Sequence, residues 1–196
     1  MDTALRQELS RGFFLRNTAM NMKDLPVGKQ FPRVVNAIIE IPKGSRNKYE
    51  YDVDLEVFKL NRVLYSSMVY PEAYGFIPST LWEDGDPLDI FVFIDQPLTT
   101  GVLLEVKPIG ILRMLDNKEP DDKVLSVAIG DPTYGSIHDI SDVPKHLLVE
   151  IEHFFVNYKK LEGKHVESFG WDNAMMAMEA VRHGHDMYKK KSKKKK

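Results

Sequence analysis

The sequence predicts an α+β protein, because strand-like segments dominate from about residue 34 to 129 and helical periodicity sets in only afterwards. Two further observations narrow this to a small β-barrel with helices added. The strands are short and punctuated by Gly, Pro and Asp clusters. Near the middle of the chain, Asp84-Gly85-Asp86-Pro87-Leu88-Asp89 forms a tight acidic turn directly before the apolar run Ile90 to Ile94. The expected strands are, in order, Val34 to Ile41, Lys48 to Tyr51, Val57 to Val63, Ile90 to Ile94, Val102 to Val106, Ile109 to Leu115 and Lys123 to Ile129. After Ser141-Asp142-Val143-Pro144, a plausible helix start, Leu147, Leu148, Ile151, Phe154 and Phe155 trace one apolar face of a helix ending near Gly163. Trp171, Ala174, Met175, Met178 and Val181 mark a second amphipathic helix.

Composition places the chain among ordinary globular proteins. Its 196 residues, 43% hydrophobic and 29% charged, suit one well-packed domain better than two. With no cysteine, disulfides, thiolate metal sites and cysteine nucleophiles are excluded, and a reducing compartment is favoured. No apolar stretch is long enough to span a bilayer, and the N-terminus lacks the apolar centre of a secretory signal, so a cytoplasmic location is expected. Arg6, Arg11 and Arg16 leave a transit peptide open, while Leu5, Leu9 and Phe13 fit a short docking helix slightly better. The last eight residues hold seven lysines and no acid, which leaves residues 1–188 with 20 basic against 29 acidic groups, a charge of −9. The lysine-rich stretch 189–196 is expected to be a disordered, solvated tail.

Three carboxylates in one turn repel one another and raise each other's pKa unless a cation sits among them. Asp-Gly and Asp-Pro are also ordinary turn chemistry, so the hexapeptide alone is equally consistent with a solvated loop. An EF-hand is excluded: with Asp84 and Asp86 at loop positions one and three, Leu88 falls at five, Asp89 replaces the glycine at six and Asp95 the terminal glutamate. A second acidic loop, Asp116, Asp121 and Asp122 followed by Lys123, lies between two strand candidates. Loops at one rim of a barrel converge, so Asp84, Asp86, Asp89, Asp116 and Asp121 have the means to line one cavity. Lys48, Arg62, Tyr70, Tyr74, Lys123, Tyr158 and Lys159 supply the complementary groups. Carboxylates for a metal with Lys, Arg and Tyr for oxyanions are the residue types that phosphoryl chemistry requires. The six histidines show no zinc-like spacing.

From about Leu25 to Tyr188 the chain resembles the soluble family I inorganic pyrophosphatases. The resemblance rests on Ile39-Glu40-Ile41-Pro42, Lys48-Tyr49-Glu50, Asn61-Arg62, Tyr70-Pro71 with Tyr74-Gly75, Asp84 to Asp89, the Asp116 to Lys123 loop, His153-Phe154-Phe155, Tyr158-Lys159 and Gly170-Trp171. Together with the strand pattern it leads to the expectation of an α+β fold: a small five-stranded OB-like β-barrel with additional strands and two C-terminal-half helices packed against it. Residues 25–188 would form the catalytic domain, 1–24 an N-terminal extension and 189–196 the tail. The resemblance implies Mg²⁺-dependent hydrolysis of pyrophosphate to two phosphates by a hydroxide activated between metal ions. It implies that Asp84, Asp89 and Asp121 hold the activating ions, with Asp89 bridging two, and that Asp116 and Glu40 bind metals arriving with substrate. Asp86 would be the general base, Lys48, Arg62, Tyr74, Lys123, Tyr158 and Lys159 the phosphate-binding set, and Glu50 and Tyr70 supporting members. It also implies a homo-oligomer. The bacterial members, which this compact length resembles, are commonly hexamers and the eukaryotic ones dimers, so a hexamer is favoured over a dimer.

One position departs from the family pattern: Asn117 stands where a second acid usually follows the residue matching Asp116, which predicts weaker occupancy of the later metal sites with activity retained. Two rival readings remain at this stage. An oligonucleotide-binding barrel would bind single strands in a salt-sensitive way, but the acidic body and clustered carboxylates oppose it, and neither a nucleic-acid nor a membrane partner is expected. A related phosphohydrolase would instead prefer a nucleotide or a short polyphosphate.

Overall fold

The computed structural model describes residues 21–194. The N-terminal extension before residue 21, with the docking helix expected through Leu5, Leu9 and Phe13, and the final two lysines lie outside the described residues. Among the described residues nine strands form: β1 (Val35–Ile41), β2 (Asn47–Asp52), β3 (Val57–Val63), β4 (Ala73–Phe76), β5 (Asp89–Phe93), β6 (Leu103–Asp116), β7 (Glu119–Pro120), β8 (Lys123–Ala128) and β9 (Val166–Asn173). Two α-helices follow β8: α1 (Lys145–Asn157) precedes β9 and α2 (Ala174–Lys194) succeeds it.

Strand order closes on itself. The sheet runs β1-β4-β5-β8-β6, and β6 pairs back to β1, giving a five-stranded barrel with β7 and β9 added along β6. All of these pairings are antiparallel except β5 with β8. The β2–β3 hairpin forms a separate two-stranded sheet. Closure removes free edges, and the small barrel is filled by side chains. Ile90 and Val92 of β5 enter one apolar cluster with Val35, Ile39 and Val124, while Phe91 and Phe93 enter another with Leu125, Phe154 and Phe155. Burial of both faces is why β5 reads as a continuous apolar run.

Three strands escaped the sequence pattern, the two-residue β7 among them. β4 is short and carries Gly75, so it reads as a loop; a Cβ on Gly75 would lie 1.8 Å from the Ile38 carbonyl oxygen, and only glycine lets β4 approach β1 this closely. β9 is polar and includes Trp171, which the sequence pattern assigns to the second helix; that residue instead pairs with Leu112 of β6. The expected strands Val102 to Val106 and Ile109 to Leu115 are one strand, β6, with an irregularity in its pairing to β8 between Pro108 and Gly110. In α2 the buried face is Ala177, Ala180 and Val181, whereas Met175 is exposed: small residues let the helix lie close to the barrel. The helix continues through Lys194, into the lysine-rich stretch 189–196 for which the sequence predicts a disordered, solvated tail. Lysine is a good helix former, and its charge complements the negative end of the helix dipole.

Candidate active site

One cavity of about 280 Å³ gathers residues from most of the chain: Glu40, Lys48, Glu50, Tyr74, Asp84, Asp86, Asp89, Asp116, Asp121, Lys123, Tyr158 and Lys159, together with Lys23. Twelve of the fourteen site residues expected from the sequence therefore line a single space. Tyr70 and Arg62 stand just behind it. Tyr70 is buried, with its ring 5.5 Å from Tyr74 and 6.4 Å from Tyr158, so it supports those two side chains.

Local geometry explains each placement. In β1 the pairing slips between Ile39 and Ile41, so Glu40 is the extra residue of a bulge, the device that re-aims a side chain. The Glu40 carboxylate accepts a hydrogen bond from the Tyr51 amide at 2.8 Å. In the β2–β3 hairpin, Lys48 and Arg62 are directly opposite, so both cations share one face. Lys48 donates to Glu50 at 2.6 Å, and Asn61 donates to the other Glu50 oxygen at 2.6 Å. Arg62 Nε donates to Glu162 at 2.9 Å, which leaves Nη2 buried and free of any protein partner.

The acidic turn is built from its own backbone. The Asp86 amide donates to Asp84 Oδ1 at 3.0 Å, and the Trp82 amide to the Asp86 carbonyl at 2.6 Å. Gly85 sits between them at φ +90, a conformation that side chains rarely adopt. The Leu88 amide donates to Thr80 Oγ1 at 2.9 Å, anchoring the exit of the turn. The parallel register of β5 and β8 then sets Asp89 opposite Lys123. Asp89 Oδ2 accepts from Tyr74 and from Lys123, each at 2.5 Å. Lys123 also donates to Asp121, and Lys159 donates to Asp116.

Burial decides the electrostatics. Desolvation pushes Glu40 up to about 8, partly offset by the Tyr51 amide, and pushes Asp121 up to about 6 against the pull of Lys123. Burial also works against the charge on Lys123, but Asp89 and Asp121 outweigh it and hold the ammonium above the ordinary lysine value. Partial desolvation in the turn raises Asp84. Tyr74 and Tyr158 are pushed upward by burial first, so their hydroxyls remain protonated donors.

The donor set facing the cavity is carboxylate oxygen without thiolate or imidazole, which suits a hard divalent cation. Asp116 Oδ1 is buried with no protein partner, a free ligand oxygen. Among the described residues no three acids or imidazoles already converge as a finished cage, because lysines occupy the space between them. The residues fit a metal in chemistry, with their charge held meanwhile by ammonium groups. Two acids of the second loop behave differently. Asp122 turns away to bind Arg113 at 2.7 Å, and Arg113 reaches Asp172 at 2.9 Å, tying β6 to β8 and β9. Asn117 is exposed and absent from the cavity lining; with Lys118 it has positive φ between β6 and β7, the requirement of a two-residue hairpin turn that asparagine meets easily.

Sequence reasoning missed two residues that act on this cavity, Lys23 and Glu162. Each lies far along the chain from its partner, Asp86 or Arg62, and neither carries a motif.

The geometry agrees with the relatives. A family model described as inorganic pyrophosphatase matches residues 37–189. An inorganic pyrophosphatase of Thermus thermophilus is 52% identical over 165 residues, covering 83% of this chain and 94% of that protein. Soluble inorganic pyrophosphatase 4 of Arabidopsis thaliana is 45% identical over 165 residues, covering 84% of this chain and 76% of that protein. A crystal structure of the Thermus thermophilus inorganic pyrophosphatase superposes with a TM-score of 0.84 at 50% identity, over 86% of this chain and 99% of that one.

Proposed function

Because the chain belongs to the inorganic pyrophosphatase family, we propose that it hydrolyses pyrophosphate to two phosphates with Mg²⁺ as its metal and Asp86 as general base. The observation that carries the reading is the meeting of carboxylates with Lys48, Lys123, Lys159, Tyr74 and Tyr158 on one cavity. Asp84, Asp89, Asp121, Asp116 and Glu40 would hold the metal ions. Bound Mg²⁺ would supply charge screening between two anionic reactants and make coordinated water more acidic. Asp86 takes the proton of the attacking water; its carboxylate stands exposed on the crest of the turn, with Lys23 Nζ at 3.0 Å. Lys48, Lys123 and Lys159 bind phosphate oxygens as point charges, and Arg62 offers the unpartnered Nη2 edge of its guanidinium. The Tyr158 hydroxyl, kept neutral by burial, donates to the leaving phosphate and offsets its growing charge, and Tyr74 would do the same on releasing Asp89.

The 52% identity to the bacterial relative leads us to propose a homo-oligomer, a hexamer in preference to a dimer. Among the described residues no helix is long and apolar enough to cross a membrane, and we assign the protein to the cytoplasm. The test is phosphate release from pyrophosphate with and without Mg²⁺, beside ATP as an alternative substrate. Asp86→Asn is expected to lower kcat by about 10²- to 10⁴-fold. Full activity of that variant would overturn the base assignment, and full activity after metal removal would overturn the mechanism.

A further inference from the structure

We infer that Lys23, from the segment ahead of the barrel, is a positioning residue for Asp86, which makes residues 21–25 a working part of the active site. The inference rests on Asp86 being the general base, and it concerns what holds that carboxylate in place.

Asp86 differs from the other cavity acids. Glu40, Glu50, Asp89, Asp116 and Asp121 each bond to a group on the barrel, on the β2–β3 hairpin or just after α1. The turn fixes the backbone of Asp86 through the Asp84 side chain and the Trp82 amide, but neither touches its carboxylate. Its side chain is 72% exposed, and its side-chain partner is Lys23 Nζ at 3.0 Å. An exposed carboxylate without a partner samples several rotamers, and a base must occupy the one facing the attacked water.

Lys23 is held firmly enough to select that rotamer. It lies in a 3₁₀ turn, Met22–Asp24, whose N-cap Asn21 accepts from the Lys23 amide at 2.9 Å. The Lys23 carbonyl accepts from the Ser79 amide at 2.7 Å, and the Leu25 carbonyl from Ser79 Oγ at 2.7 Å. Asp24 accepts from Tyr188 of α2 at 2.6 Å, and Met22 and Leu25 pack on Ile38, Tyr51 and Phe76. Ser79 is the neighbour of Thr80, which anchors the exit of the acidic turn. The segment that carries the lysine is therefore tied to Ser79 and the exit of the acidic turn to the adjacent Thr80, so the two are anchored on neighbouring residues. The Lys23 side chain as a whole is only 26% exposed, so its stem is packed while its head reaches the carboxylate.

An exposed pair of this kind shifts a rotamer population several-fold. Lys23→Met in the full chain with Mg²⁺ is expected to lower kcat about three- to fivefold, with KM for pyrophosphate and the melting temperature unchanged. Lys23→Arg should recover most of the loss. In an Asp86→Asn background Lys23→Met should cost nothing further, since its target is gone. Unchanged kcat in Lys23→Met would overturn the inference. So would a raised KM at constant kcat, which marks a phosphate contact, or an equal loss in both backgrounds, which marks action on another group. Asp86→Asn alone reports on the base assignment, so failure of that reading is separable from failure of this one.

Discussion

On the side of the cavity built by β6, β8 and their loop, carboxylates are buried against lysines; on the side built by the 84–89 turn, they face solvent. The Asp121 side chain is 16% exposed and the Lys123 side chain that bonds it 4%, whereas Asp86 is 72% exposed. Desolvation penalises a lone buried charge heavily, so the inner acids carry counter-charges from the protein itself. The outer turn is solvated and tolerates its repulsion until a cation arrives. Asp89 stands where the two arrangements meet, at the end of the turn but in register with Lys123. One side thus holds its acids against ammonium groups, and the other leaves them to solvent.

The sharpest way to break this comparison is Lys123→Met, which leaves Asp89 and Asp121 half-buried beside each other without their ammonium. We expect a loss of about 3–5 kcal/mol in urea unfolding without metal. A loss below about 1 kcal/mol would mean that the inner acids do not depend on Lys123.

Glu72 provides an intermediate case outside the cavity. It is buried, Lys43 binds one oxygen at 2.9 Å, and the other oxygen has no partner. Burial pushes it up from its ordinary 4.5 to about 7, with Lys43 pulling the other way. The folded state therefore holds a proton that the unfolded state has released, so this stabilising contribution is complete below pH 4.5 and is lost as pH rises to about 7. Glu72→Gln should raise stability by about 1–3 kcal/mol at pH 8 and leave it unchanged at pH 4. Equal effects at both pH values would show that Lys43 alone compensates the charge.

The smallest effect is expected in the open turn. Asp84→Asn should change metal-free stability by no more than about 0.5 kcal/mol, in the stabilising direction, because it removes a raised carboxylate. The rise in melting temperature on adding Mg²⁺ should shrink at the same time, since ligand stabilisation follows binding. A strong destabilisation would place Asp84 with the inner acids.

Much of the site was legible because its motifs are local. The 84–89 turn, the Asp116 to Lys123 loop and Tyr158-Lys159 each announce their chemistry within a few residues. Glu162 was not legible: it meets Arg62 across 100 positions, through a salt bridge that no spacing encodes. Lys23 reaches Asp86 across 63 positions in the same way. For the lysine stretch, composition weighs charge repulsion in water and does not register that α2 arrives already helical at residue 189.

The sequence by itself determined the class of fold, the apolar strands and helices, the acidic turn and the residue types of the site, all of which follow from side-chain periodicity and turn chemistry. Only the tertiary structure decided that β6 is one strand, that β4 and β9 exist, that the barrel closes through β1 and β6, and which cation faces which acid. Those outcomes depend on pairings between distant segments, whose energy comes from shared burial rather than from any local preference.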